Sequence, residues 1–258
     1  MRQNKFVQIK DDSSLANLQL IASPELADQL KKLKFGSYLQ AQGKLALTPH
    51  LSQTCELKLA KITGLSSPDP DYPFQKKKIP LEVVRNYPHL RAKTNYFLAL
   101  FRLRHSISKA IHDFFHQEGF YYVPTPIITS NDTEGAGELF NITTNEKEPF
   151  FPKPAKLTVS GQLQAEALAQ GLGKVYTFSP CFRAEKSHTT RHLAEFWMVE
   201  AELVSTGLAT LLELVERLVK FVLRSVLTKY QEELKYFEKH QAKEIISKLT
   251  AIVTQKFL

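Results

Sequence analysis

Five prolines, at positions 68, 70, 73, 80 and 88, fall within the 27 residues "GLSSPDPDYPFQKKKIPLEVVRNYPHL", Gly64 to Leu90. Proline fixes φ and carries no backbone donor, so neither a long helix nor an inner strand can run through this stretch. It reads as a stiff interdomain linker with a basic triplet, Lys76 to Lys78. The chain of 258 residues then divides into 1–63, the linker 64–90 and 91–258, enough for a small domain and a larger one.

Before the linker lie "KFVQIK", "ANLQLIA", "SYLQAQGKL" and "CELKLAKIT", short runs rich in β-branched and aromatic residues and separated by polar turns. Each reads as a strand. Between them "SPELADQLKKL" predicts a short helix, with Ser23 as N-cap and Pro24 at its first position. Strands around one helix suggest a small β-barrel, one strand short of a five-stranded OB-fold.

After the linker, Phe97, Leu100, Phe101, Ile107, Ile111, Phe114 and Phe115 recur at three- and four-residue steps and predict a helix over 96–117. "FYYVPTPII" follows as a strand that Pro124 and Pro126 restrict to an edge or an interface. Two helices are expected at 207–229 and 231–254. Between these blocks "KVYTFSPCFRAE" and "EFWMVEAELV" read as a hairpin closed by "KSHTTRHLA". Alternation puts Trp197, Val199, Ala201 and Leu203 on one face of its second strand, and Phe196, Met198, Glu200 and Glu202 on the other.

The polar side of that hairpin suits a nucleotide. An Arg guanidinium meets phosphate with a planar fork, an aromatic ring stacks on a base, and a carboxylate accepts from an exocyclic amine. A solvated, salt-laced hairpin has the same charges, and composition does not separate the two. The net charge of +8 leans towards a polyanionic partner. Cys55 and Cys181 have no metal-spaced neighbours and form no disulfide framework, which fits a reducing cytoplasm. The start "MRQNKFVQIKDD" has no apolar signal core, and no run of 18 apolar residues occurs, so neither secretion nor membrane spanning is expected.

"FRAEKSHTTRHLAEFWMVEAE" resembles the second signature motif of class II aminoacyl-tRNA synthetases, in the subgroup that charges Asp, Asn and Lys, and most closely its asparaginyl members. "GFYYVPTPIITSNDTEGAGELF" looks like the first motif and its continuation, and "LTVSGQLQAEAL" like the segment that senses the amino acid. The resemblance runs from about Lys5 to the C-terminus. It implies an α+β protein: an incomplete OB-fold barrel for the anticodon, then an incomplete class II catalytic domain on an antiparallel sheet. The implied reaction is ATP-dependent activation of asparagine to an adenylate and transfer to tRNA(Asn), in the cytoplasm.

By that resemblance Arg183 binds the α-phosphate of ATP and the substrate carboxylate, as the catalytic residue. Glu185 and Phe196 hold adenine, and Arg191 and His192 meet the outer phosphates. Glu134, Ser160 and Gln162 take the amino acid's ammonium and backbone. Ser160 reads equally as a helix N-cap, and Glu134 as an ordinary loop carboxylate. Glu166, with no basic residue in "SGQLQAEAL", favours an amide over a carboxylate side chain. Pro126 matches the motif 1 proline of a homodimer interface; Phe6 matches the aromatic that stacks on an anticodon base, and Asn17 its base-edge reader. A barrel-core role for Phe6 stands beside that reading.

The family's first barrel strand and its third motif, a Gly-rich stretch ending in Arg, are not found, nor are its magnesium-binding carboxylates. Magnesium is implied without ligands, and the chain reads as a shortened form. A non-catalytic tRNA- or nucleotide-binding paralogue and an aspartate–tRNA ligase remain alternatives.

Overall fold

The computed structural model describes residues 5–11, 13–48, 53–77, 79–133, 135, 138–144, 148–187 and 189–257. In chain order come β1 (Lys5–Ile9), β2 (Leu18–Ala22), α1 (Pro24–Ala27), β3 (Tyr38–Leu47), β4 (Cys55–Ser66), α2 (Leu81–Arg85) and α3 (Asn95–Gln117). There follow β5 (Tyr121–Tyr122), β6 (Ile128–Thr129), β7 (Asn141–Ile142), β8 (Ala155–Leu157), α4 (Gln162–Leu172), β9 (Lys174–Phe182) and β10 (Glu195–Leu203). The last helices are α5 (Leu208–Lys229), α6 (Gln231–His240) and α7 (Ile245–Thr254). The chain forms two compact units, Met1–Arg104 with Tyr230–Ile245, and His105–Lys229 with Ile246–Leu258.

In the first unit four strands form one sheet in the order β1-β2-β4-β3, with β2 and β4 parallel and the other pairs antiparallel. Strands β1 and β3 are its two edges, so the barrel expected from the sequence is an open sheet among the described residues. Ala22, Leu30 and Leu59 are buried on one side, with Val7, Leu39 and Ile62 packed against them. The helix expected at Ser23–Leu33 is two pieces, α1 and a 3-10 turn at Gln29–Lys32, and the Ser23 side chain makes no capping bond. The proline-rich stretch carries its own small core, in which Phe74 and Val84 are buried with Phe97. Helix α6 is held by Glu233, buried and paired with Arg102 at 2.9 Å, and by Glu232, whose carboxylate accepts from the amides of Leu15 at 2.8 Å and Ala16 at 3.1 Å.

In the second unit the hairpin β9–β10 is antiparallel, but β5 joins β9 in parallel, so the antiparallel sheet expected here is mixed. Pro180 sits within β9, opposite Trp197. Its missing donor is tolerated because β5 pairs only with Val175 and Tyr176 and ends before reaching it. The single strand expected from "FYYVPTPII" is two short pieces, β5 and β6, in different sheets. Pro124 and Pro126, which cannot donate to a ladder, fall in the gap. The helix expected over 231–254 is also broken, into α6 and α7, with Glu244 at the junction in the left-handed region at φ 62°.

The core of this unit is aromatic. Ile111, Phe114 and Phe115 of α3 are buried with Phe120, Tyr176, Phe178 and Leu214, and Val199, Ala201 and Leu203 of β10 pack against them. The rings of Phe115 and Tyr176 are stacked with centroids 4.5 Å apart. Phe115→Ala is expected to remove about 3–5 kcal/mol of stability, through lost burial and the cavity left behind. Urea unfolding of the variant beside exposed Leu212→Ala checks this, and equal losses for the two would refute this account of the core.

Candidate active site

The site grows from the hairpin and the start of α4. Strand β9 stops at Phe182, earlier than the expected Glu185, so Arg183 and Glu185 lie just past its end. That extended segment is nonetheless tied on three sides. The Phe182 amide donates to the Thr158 carbonyl at 2.9 Å, that of Arg183 to Ala194 at 3.0 Å, and that of Ala184 to Glu138 at 2.9 Å. Arg183 is half-buried, with its guanidinium carbon 5.5 Å from the centroid of the Phe196 ring. A cation over an aromatic face restricts both side chains before any ligand arrives. Glu185, Arg191 and His192 are exposed. The ring Nδ1 of His192 is hydrogen-bonded to the Thr189 hydroxyl.

The second wall is the turn "TVSGQ", residues 158–162. Ser160 is buried, and its hydroxyl accepts from the Gln162 amide at 3.0 Å at the start of α4. The same hydroxyl donates to Glu200 on β10, and the Gly161 amide donates to the other oxygen of that carboxylate at 2.9 Å. Through these bonds Ser160 links the start of α4 to β10. Gly161 is also a packing requirement: a Cβ there would stand 2.6 Å from the Thr125 hydroxyl oxygen and 3.0 Å from Thr177 Cγ2. Gln162 donates from its amide to Glu166 at 2.7 Å, one helical turn on.

Glu200 was not among the residues singled out from the sequence. The available signal was its place on the Phe196 face of β10, opposite the buried face of Val199 and Ala201. A lone strand carboxylate ordinarily reads as solvated, and its partners lie about forty residues away, at Ser160 and Gly161. Of the other expected residues, Glu134 lies outside the described residues. Phe6 is 60% exposed on β1, which removes its reading as a core residue. Asn17 donates to Gln8 at 3.3 Å, two residues along β1 from Phe6, so alternation places Phe6 and Gln8 on one face. Pro126 is exposed, beside exposed Ile127 and Ile128.

The electrostatics of the site are acidic around the turn 158–162, where Glu166, Glu200 and Glu202 interact. Burial holds the Glu202 carboxyl above its ordinary value, and the charges of Glu166 and Glu200 push it further the same way. An acid whose folded value is raised costs stability once pH climbs past its unfolded value, because the folded state then retains a proton that the unfolded chain has released. Glu202→Gln is therefore expected to raise the Tm at pH 7 and to leave it nearly unchanged near pH 4, where both states are protonated. Melting curves across that range test the sign, and a drop at pH 7 would show that Glu202 is held by an attractive partner.

A family model described as "tRNA synthetases class II (D, K and N)" matches residues 80–256. The chain is 45% identical over 267 residues to an asparagine–tRNA ligase of Microcystis aeruginosa, covering 100% of this chain and 59% of that protein. It is 43% identical over 257 residues to that of Desulfotalea psychrophila, covering 98% and 57%. Among solved structures, an asparaginyl-tRNA synthetase from Pyrococcus horikoshii complexed with asparaginyl-adenylate superposes with a TM-score of 0.81 at 25% identity, covering 98% of this chain and 58% of that one. The chain thus spans 57–59% of the length of these relatives. With the family model covering more than half of the chain, the chain belongs to the class II tRNA synthetases of the D, K and N group.

Proposed function

We propose that the chain carries the ATP- and amino-acid-binding part of an asparagine–tRNA ligase. The reaction is attack of the asparagine carboxylate on the α-phosphorus of ATP, releasing pyrophosphate, followed by transfer of the asparaginyl group from the adenylate to the 3′ end of tRNA(Asn). The observation that carries this reading is the carboxylate group at the sensing turn: Glu200 bound to Ser160 and Gly161, and Glu202 held above its ordinary value by burial and by the charges of Glu166 and Glu200. Such a pocket accepts hydrogen bonds from an ammonium or an amide NH2 and repels a second carboxylate. It supports asparagine over aspartate.

In this reading Arg183, preset by Phe196, neutralises charge that develops between the α-phosphate and the entering carboxylate. Phosphoryl and nucleotidyl transfers draw most of their acceleration from such positioning. Phe196 and Glu185 hold adenine; Arg191 and His192 reach the outer phosphates. Ser160, Gln162 and Glu134 hold the amino acid, with Glu166 towards its side chain. Magnesium is expected from the family, and among the described residues no group of three His, Cys, Asp or Glu side chains is assigned to hold it.

The open sheet β1–β4 is read as the larger part of an OB-fold anticodon module, with Phe6 and Asn17 as its base-stacking and base-edge groups. The domain plan 1–63, 64–90 and 91–258 is kept as the functional division. Among the described residues no helix is long and apolar enough to cross a membrane, and a cytoplasmic site is inferred from the role in translation. Pro126, with exposed Ile127 and Ile128, is assigned to a homodimer interface.

A non-hydrolysable sulfamoyl analogue of asparaginyl-adenylate is expected to raise the Tm of the purified chain well above the effect of the aspartyl analogue. Arg183→Ala should weaken that binding about 10²–10³-fold, the usual loss for one preorganised donor. Equal response to both analogues would sink the choice of asparagine, and response to neither would leave only a binding paralogue. For the dimer, Ile127→Asp is expected to halve the mass measured by light scattering, and a wild-type chain already monomeric would remove that assignment.

A further inference from the structure

A second cluster of aromatic and basic residues lies in the first unit, and the ATP and anticodon assignments do not use it. Lys34 and Phe35, at the start of the turn after the 3-10 segment, and the start of the proline-rich stretch line one groove of about 180 Å³. No residue of β1 or β2 lines it, so it is separate from Phe6 and Asn17. Phe35 stands on its rim, 54% exposed, with Lys34 and Lys76 beside it and Asp69, Tyr72 and Gln75 in its lining. The groove is preset by packing. Gly36 takes φ 90°, a conformation open to glycine, and its missing Cβ leaves the space that the Tyr72 ring fills. The Lys34 amide, which donates to the Ser37 hydroxyl at 2.9 Å, closes the same turn.

We propose that this groove is a second RNA contact, which takes one unstacked base of a single-stranded or looped segment. The volume is below the roughly 300 Å³ at which ordinary small-molecule sites begin, so it admits a planar ring and not a whole nucleotide. Phe35 offers the stacking face, which every base can use. Asp69 and Gln75 supply an acceptor and an amide for a base edge. Lys34 and Lys76, flanked by exposed Lys32 and Lys77, hold the phosphates on either side of the base. Asp28 does not offset them, because it is already paired with Lys31 at 2.6 Å. A carboxylate inside the groove disfavours a bare anion or an acidic lipid surface, whereas the amino edge of a base matches it. The inference rests on the tRNA reading above only for which RNA is bound.

The test is a titration of the full chain with a tRNA(Asn) transcript, followed by anisotropy at several salt concentrations. Phe35→Ala is expected to weaken binding about 5- to 100-fold, and Phe35→Tyr to restore it. The pair Lys34→Ala/Lys76→Ala should lower the slope of log K against log salt by about 1–2, as expected when two phosphate contacts are lost. Phe6→Ala serves as the anticodon comparison, and melting curves confirm that the variants are folded. If Phe6→Ala weakens binding while the groove variants bind like the parent chain, the groove is not an RNA site and the tRNA reading survives. If the parent chain binds no RNA, both readings fall, while adenylate-analogue binding reports separately on the ligase assignment.

Discussion

The carboxylate of Glu200 ties together the parts on which the candidate site depends. It accepts from the Ser160 hydroxyl and the Gly161 amide, and so joins an outer strand of the sheet to the first turn of α4. Hydrogen bonds to a charged acceptor contribute about 1.5–3 kcal/mol each, more than most neutral ones. Gly161 can come so close only because it lacks a Cβ, with Thr125 and Thr177 filling the space beneath. The Thr125 and Thr177 hydroxyls lie 3.3 Å apart, and Thr177 lies opposite Glu200 across the hairpin. Strand, helix start and the turn 158–162 are thereby fixed by one set of contacts.

Around that anchor the aromatic core sets the hairpin's position. Phe115 and Phe178 fix the underside of β9, and Val199, Ala201 and Leu203 seat β10 on the same cluster. What faces away from the core is therefore held with the rigidity of the core. Arg183, at the end of β9, adds its own restraint through the Phe196 ring. A guanidinium already oriented loses little freedom when it meets a phosphate, which is the physical content of preorganisation. Arg191 and His192, by contrast, are exposed on the connecting loop.

Legibility in the sequence followed the strength of the local pattern. Helix α5 was readable because its apolar stripe recurs over six turns, and the hairpin because apolar and acidic residues alternate from Val199 to Leu203. The break between α6 and α7 was not, since Gln241 to Glu244 contain neither glycine nor proline, and a left-handed Glu244 has no local signature. The pieces β5 and β6 were merged in the sequence reading because two prolines demote a strand without saying where it changes partner. Arg183, Phe196 and Ser160 were singled out through the motifs they stand in, and the structure sets Arg183 beside Phe196 and bonds Ser160 to Glu200. Glu200 was not singled out, because its partners lie on a turn about forty residues earlier, and nothing local distinguishes it from a solvated glutamate.

The alternation of β10 has a further consequence for how the chain finds its fold. Had β10 paired with β9 one residue out of step, Glu200 and Glu202 would point into the cluster of Phe115, Tyr176 and Phe178, and Val199 and Ala201 would face the charged turn. Two carboxylates buried in this largely aromatic cluster would make that arrangement too costly to persist. The acidic residues of the site thus act against misalignment before any substrate is present. A variant that replaced both with apolar side chains would lift the penalty that keeps the hairpin from settling in the wrong register.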